Sequence, residues 1–76
     1  MAPTYKYTDV EKALKRLWFI LDRQTGSHRV WEKDEIKKRI TVIVPAHKPL
    51  KIGTFRNILK QAGISLDEFL NLLKKQ

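Results

Sequence analysis

The chain has 76 residues and no cysteine, and its 16 lysines and arginines against 8 aspartates and glutamates give a formal net charge of +8. This length predicts a single domain over residues 1–76 with a small core, and the lack of cysteine excludes a disulfide framework or a thiolate metal site. No apolar run approaches the roughly 20 residues of a membrane span and the N-terminus lacks a signal-peptide layout, so we expect a soluble, cytoplasmic protein with no membrane partner.

Most of the excess positive charge lies in the second half of the chain. Between Ile36 and Leu66 there are several basic residues and no acidic one. A surplus of this size attracts polyanions, so nucleic acid is the favoured partner. The alternatives are a basic face that only aids solubility and an acidic protein partner. The basic residues do not collect on one amphipathic helix, which disfavours a membrane surface.

The first half of the chain predicts an arm, a helix and a sheet. Residues 1–7 show no period and are interpreted as an arm. Thr8 and Glu11 match a capping box, and an apolar face at i, i+3, i+4 and i+7 continues the helix to about Leu17. Strands are expected near residues 18–23, 29–33 and 39–44, joined by turns at 24–28 and 34–37. Short polar connections make these strands an antiparallel meander.

The second half predicts a loop and two helices. The loop covers residues 45–53, which include two prolines and a glycine. The helix after it ends at Gly63, and a capping box from Ser65 to Glu68 opens the last helix, whose apolar face holds Leu66, Phe69, Leu70 and Leu73, with Leu72 off that face. The order α-β-β-β-α-α is an α+β fold: a two-layer sandwich with helices on one face of a three-stranded antiparallel sheet.

The turn Gly26-Ser27-His28 is the candidate site. Glycine permits a tight turn, and a histidine opening the next strand is open to solvent. Histidine is the side chain whose ordinary pKa suits proton transfer near neutrality. By itself this motif is weak, and the alternative is a surface histidine beside a hairpin turn.

Three stretches of the chain resemble one family. Residues 18–31 hold an apolar strand, Gly-Ser-His and a second apolar strand; residues 40–47 hold a β-branched strand ending in Pro-Ala-His; residues 50–65 hold Gly-Thr and Ile-Leu-Lys-Gln-Ala-Gly. Together they resemble the HicA (YcfA-type) mRNA interferase toxins of HicA/HicB toxin–antitoxin systems. The family often has glycine where Trp18 stands.

The resemblance implies a fold like a double-stranded RNA-binding domain. It implies a toxin of a type II toxin–antitoxin system, a metal-independent endoribonuclease that cleaves mRNA and is inhibited by a HicB-type antitoxin. It assigns the catalytic role to His28, and Gly26 and Ser27 are possible support. The alternatives are a non-catalytic RNA-binding module and a basic domain that binds an acidic protein.

Basic residues near this turn are weaker candidates for RNA binding. Arg29 and Lys33 share one face of the second strand with Trp31, which is interpreted as core in preference to a base-stacking ring. Lys48 and Lys51 precede a helix start that can bind an anion, or they are only solvated. His47 is interpreted as a loop residue. With two histidines 19 positions apart and no carboxylate cluster, we predict no metal site and no cofactor.

Overall fold

The computed structural model describes residues 5–46 and 49–74. Its elements are α1 (Tyr7–Arg16), β1 (Ile20–Thr25), β2 (His28–Glu35), β3 (Lys38–Pro45), α2 (Ile52–Ala62) and α3 (Leu66–Lys74). The predicted order α-β-β-β-α-α is confirmed, as is the three-stranded antiparallel sheet in the order β1-β2-β3. Within the described ranges, no helix has the length and apolar character needed to cross a membrane.

The two faces of the sheet have different roles. Trp31 of β2 pairs with Leu21 and Val42, and these side chains point to the face that the helices cover. The alternate residues point the other way: Glu32 pairs with Ile20, which is 73% exposed, and with Thr41. We call these the covered face and the open face. The prediction that helices leave one face free is confirmed.

β2 and β3 are longer than the apolar pattern predicted, whereas β1 has the predicted length and lies two residues later. β2 begins at His28 and continues to Glu35, so the connection to β3 shrinks to Ile36 and Lys37. Asp34 and Glu35, which were assigned to a turn, are therefore strand residues. The register explains this, because Asp34 pairs with Arg39 and Glu35 with Lys38, and opposite charges directly across two strands stabilise the pairing.

The core lies between the covered face and the three helices. Its most completely buried members are spread over the helices and β2 and β3: Trp31, Phe69, Leu14, Ile58, Val10, Val42 and Val44. Tyr5 also packs on it, with its ring stacked 4.5 Å from that of Phe55 and its carbonyl accepting a bond from the Leu50 N–H at 3.1 Å. The expectation of an arm is therefore wrong for Tyr5 and for Tyr7, which opens α1; Met1–Thr4 lie outside the described residues.

Two predicted capping boxes have opposite outcomes. At α3 the box is confirmed: the Glu68 N–H donates to Ser65 Oγ at 3.1 Å, and the Ser65 N–H donates to Glu68 Oε1 at 3.2 Å. At α1 it is wrong, because the helix begins at Tyr7 and its N-cap, Lys6, makes no side-chain cap bond. The Glu11 carboxylate, assigned to that cap, is instead buried against the sheet.

The buried side of α3 also differs from the prediction. Leu72 is buried at 8% exposure, whereas Leu66 is 46% exposed. Phe69 remains fully buried, as expected, and Leu70 and Leu73 pack at the margin of the core. α3 packs against α1, so the helix presents the side that the contact with α1 requires.

Candidate active site

The turn between β1 and β2 has two central residues, Gly26 and Ser27. Gly26 has a φ of 58°, and Ser27 does not share that positive φ. A positive φ at only the first central residue is the pattern of a type II′ hairpin turn, which favours glycine there. Thr25 and His28 are the pair that closes the hairpin. The predicted turn is thus confirmed, and its geometry explains the glycine.

His28 is the first residue of the central strand. It pairs with Thr25 on one side and with Pro45 on the other, so backbone lies on both sides of it. His28 lies four residues before Glu32 in the same strand, so both side chains point to the open face. The His28 side chain is exposed. The histidine is therefore held by its backbone and available to solvent through its ring.

The end of β3 and the start of α2 lie next to this turn. The Ala46 N–H donates to the Ser27 carbonyl at 2.6 Å, which ties the turn to the residue after β3. Pro45 lines a shallow depression with Lys51 and Thr54, at the N-terminus of α2. Lys51 is exposed there. His47 and Lys48 lie outside the described residues.

Arg29, Trp31 and Lys33 share the covered face, as their spacing predicted. Trp31 is 1% exposed and its Nε1–H donates to Glu11 Oε2 at 2.8 Å, which confirms that it belongs to the core and is not a base-stacking ring. Lys33 Nζ lies 5.7 Å from the centroid of the Phe19 ring. Lys33 is also five residues along β2 from His28, about 16 Å in a strand, so the structure does not bring these two together.

Arg29 is engaged inside the protein. Its Nε–H donates to Glu11 Oε2 and a second guanidinium N–H donates to Gln24 Oε1 at 2.8 Å. Gln24 Nε2–H donates in turn to the Gly26 carbonyl at 3.0 Å. The contacts of Glu11 and Gln24 with Arg29 were not predicted from the sequence. A signal was present, since Glu11 interrupts the apolar side of α1 next to Val10 and one turn before Leu14.

Comparison with protein families found a match that covers most of the chain. The model of the family described as "HicA toxin of bacterial toxin-antitoxin" matches residues 7–64. The chain belongs to the HicA toxin family. No curated protein sequence matches it.

Membership in the HicA family defines the role of the chain at a coarse level. It is a toxin of a toxin–antitoxin system, and such a system includes an antitoxin partner. The matched range runs from the first residue of α1 to Ile64, just beyond α2, and so includes the turn that holds His28. The resemblance noted from the three stretches is confirmed at the level of the family.

The end of the HicA sheet opposite to His28 holds acidic residues. Arg39 donates to Asp34 Oδ1 at 2.9 Å and lies 3.8 Å from Glu32 Oε2. The hydrogen bond with Asp34, and then the attraction of the Asp34 and Glu32 carboxylates, raise the pKa of Arg39 above its usual value. This guanidinium already has acidic partners, whereas Lys51, which lies beside the strand partner of His28, is exposed.

The described residues of this HicA chain offer no evident metal centre. Among them, no group of three or more histidine, aspartate, glutamate or cysteine side chains is arranged to hold an ion.

Proposed function

We propose that this toxin is a metal-independent endoribonuclease that cleaves mRNA with His28 as general acid or base. The observation that carries the proposal is the placement of His28: an exposed histidine on the open face, fixed between two strands, beside a glycine turn of a strongly basic chain. A rigid backbone with an exposed imidazole is what positioned proton transfer requires. Cleavage of mRNA places the toxin in the cytoplasm.

Cleavage of RNA requires few catalytic groups from the protein. RNA carries its own nucleophile, the 2′-hydroxyl, which can attack the adjacent phosphorus when its proton is removed. The bond to the 5′-oxygen of the next nucleotide then breaks, and that oxygen takes up a proton. His28 serves one of these two proton steps, and positioned acid–base catalysis of this kind contributes about 10²–10⁴-fold in rate.

Positive charge and backbone N–H groups near the turn support binding of the RNA phosphate. Lys51 is exposed at the start of α2, where the first backbone N–H groups and the helix dipole favour an anion. Thr54 and Pro45 complete that depression, and Pro45 is the strand partner of His28. Lys48, three residues before Lys51, is assigned to the same role from the sequence alone.

The antitoxin that accompanies the toxin is of the HicB type in this proposal, as the family resemblance implies. The open face is the surface it covers. Helices already occupy the covered face, so a partner seated on the open face reaches His28 without disturbing the core.

Two variants test the proposal. Purified wild-type toxin, His28→Ala and Thr41→Ala are incubated with an end-labelled in vitro transcript, without added metal and with a chelator. Thr41 shares the open face with His28 but lies opposite Glu32, toward the other end of β2, so it is the matched control. We expect His28→Ala to cleave about 10²–10⁴-fold more slowly and Thr41→Ala to cleave like wild type.

Growth and full-length mRNA are followed in bacteria after induction of the same three proteins, and circular dichroism establishes that each is folded. Arrest and mRNA loss with wild type and Thr41→Ala, but not with His28→Ala, support the proposal. Equal cleavage by wild type and His28→Ala removes His28 as the catalyst. RNA binding without cleavage by any of them identifies an RNA-binding module instead.

A further inference from the structure

A chain of side-chain bonds crosses from α1 to the Gly26–Ser27 turn. It begins at Glu11, which is 7% exposed and accepts bonds from Trp31 Nε1–H and Arg29 Nε–H. It continues from Arg29 to Gln24 Oε1 at 2.8 Å and ends where Gln24 Nε2–H donates to the Gly26 carbonyl at 3.0 Å. We call this the Glu11–Gln24 network.

The Glu11–Gln24 network contributes little net free energy to the stability of the fold. Burying a carboxylate and half-burying a guanidinium loses hydration that their mutual attraction barely offsets, and well-packed apolar residues commonly do as well. The bonds of the network leave its polar groups well partnered, and no buried side-chain polar atom within the described residues lacks a partner. A fully satisfied network of this kind fixes side chains in one arrangement, since each bond restricts the next.

The network ends at the Gly26 carbonyl, which lies close to the proposed catalytic residue. Gly26 is two residues from His28, and its carbonyl is held from the β1 side by Gln24. The next carbonyl, that of Ser27, is held from the other side by the Ala46 N–H at 2.6 Å. The two peptide groups that precede His28 are therefore both fixed, one through α1 and β1 and the other through the end of β3.

We propose that Glu11, Arg29 and Gln24 are positioning residues for His28. They hold the Gly26 carbonyl, and through it the turn, so that the imidazole points at the scissile phosphodiester without a search among turn conformations. The inference rests on the proposed function of His28 and deepens it. It also gives Arg29 a different role from the phosphate contact considered from the sequence, because its guanidinium is bound to Glu11 and Gln24.

Gln24→Ala is the sharpest test. Gln24 is exposed, so its truncation leaves the core intact, yet it removes both the bond from Arg29 and the bond to Gly26. The control is Gln61→Ala, which is the same substitution at another exposed glutamine whose side chain also bonds a backbone group, the Ile43 N–H at 3.2 Å. Gln61 belongs to α2 and has no bond to the turn.

The assay is single-turnover cleavage of an end-labelled in vitro transcript, with RNA affinity measured separately in the His28→Ala background. For Gln24→Ala we expect a cleavage rate lower by about 10–100-fold, because small displacements of a catalytic group carry penalties of that order. Affinity should stay within about twofold, because none of the three residues contacts RNA in this proposal. Gln61→Ala should match wild type in both quantities.

Amide NMR spectra of the free proteins give a readout that does not depend on activity. We expect the Ser27 and His28 amide signals to shift and broaden in Gln24→Ala and to stay in place in Gln61→Ala. Glu11→Gln keeps an oxygen for Trp31 and removes the charge that holds Arg29, so it should act in the same direction as Gln24→Ala. Unmoved turn amides in Gln24→Ala overturn the proposal, and so does unchanged cleavage with moved amides.

Failure of this inference and failure of the proposed function give different results. If His28→Ala cleaves as fast as wild type, the proposed function is wrong and positioning of a catalyst falls with it. If cleavage depends on His28 but is the same in Gln24→Ala and Gln61→Ala, only the positioning role is wrong.

Discussion

Trp18 occupies a backbone conformation that tryptophan rarely adopts. Its φ is 72°, and its side chain is 81% exposed. The two bonds around it, from the Phe19 N–H to the Leu14 carbonyl at 2.9 Å and from the Trp18 N–H to the Lys15 carbonyl at 3.0 Å, are those of a Schellman motif that ends α1. This motif requires a residue in the left-handed conformation, which glycine adopts at no steric cost.

Replacing Trp18 by glycine should stabilise the fold. The left-handed conformation costs a residue with a side chain about 1–2 kcal/mol, and the greater freedom of glycine in the unfolded chain offsets about 0.4–1 kcal/mol of that. We expect a net gain of about 1 kcal/mol, seen as a melting temperature higher by about 4–8 °C for a domain of this size.

Trp18→Ala is the control for that experiment, because it removes the same exposed ring and keeps the unfavourable φ. It should melt within about 2 °C of wild type or below it. A Trp18→Gly protein that melts below Trp18→Ala would contradict the left-handed conformation at this position. Two variants that both melt well below wild type would mean that the ring itself stabilises the toxin.

The first turns of α1 and α3 show how one local pattern leads to two structures. Both carry a hydroxyl residue followed three positions later by glutamate. At α3 both side chains face solvent and bond only each other's backbone, whereas at α1 the glutamate finds Trp31 and Arg29 across the core. The buried Glu11 carboxylate accepts hydrogen bonds from the charged Arg29 guanidinium and from the Trp31 N–H. Hydrogen bonds of this kind are stronger than the solvent-exposed bond that a capping glutamate makes.

Helix capping therefore gives a paired prediction at the level of the element. Ser65→Ala should cost about 1 kcal/mol, since it removes the side-chain oxygen that accepts the Glu68 N–H. Thr8→Ala, at the other pattern, should change stability by less than about 0.5 kcal/mol because α1 has no side-chain cap bond. Urea denaturation of the two variants measures both values, and equal losses would show that Thr8 caps α1 in solution.

At the scale of the whole molecule, the proposed RNA binding depends on basic side chains that are not already paired with carboxylates. Arg39 is bonded to Asp34 and close to Glu32, whereas Lys51 is exposed beside the depression at the start of α2. Only charges that neutralise phosphates release counterions and steepen the salt dependence of binding.

Salt titrations of RNA affinity separate these two residues. In the His28→Ala background, Lys51→Ala should lower the slope of log K against log salt by about 0.7, the value for one phosphate contact on a single strand. Arg39→Ala should leave the slope unchanged. The opposite ranking would place the RNA at the far end of the sheet.

The architecture could be predicted because local patterns decide it. Apolar residues at helical spacing identified the helices, and the β-branched run from Ile40 to Val44 identified the strongest strand. The turn at Gly26 and the start of β2 at His28 followed from residue types within a few positions. These features need no knowledge of what lies across the core.

The side-chain network could not be predicted for the opposite reason. Glu11 and Trp31 are 20 positions apart, and their contact depends on how α1 lies on the sheet. Leu72 was assigned to the wrong side of α3 because its burial depends on packing against α1, where Arg16 donates to the Leu72 carbonyl. These contacts depend on how the helices pack on the sheet and on each other, which local sequence patterns do not determine.

The alternation of the strands has a consequence for how such toxins diverge. Open-face positions such as Ile20, Thr41 and Ile43 are exposed, so mutations there cause little loss of packing. A lineage can therefore alter what its sheet recognises through single substitutions, each of which yields a viable intermediate. If the antitoxin binds the open face as proposed, two related toxins with the same fold can therefore come to require different antitoxins.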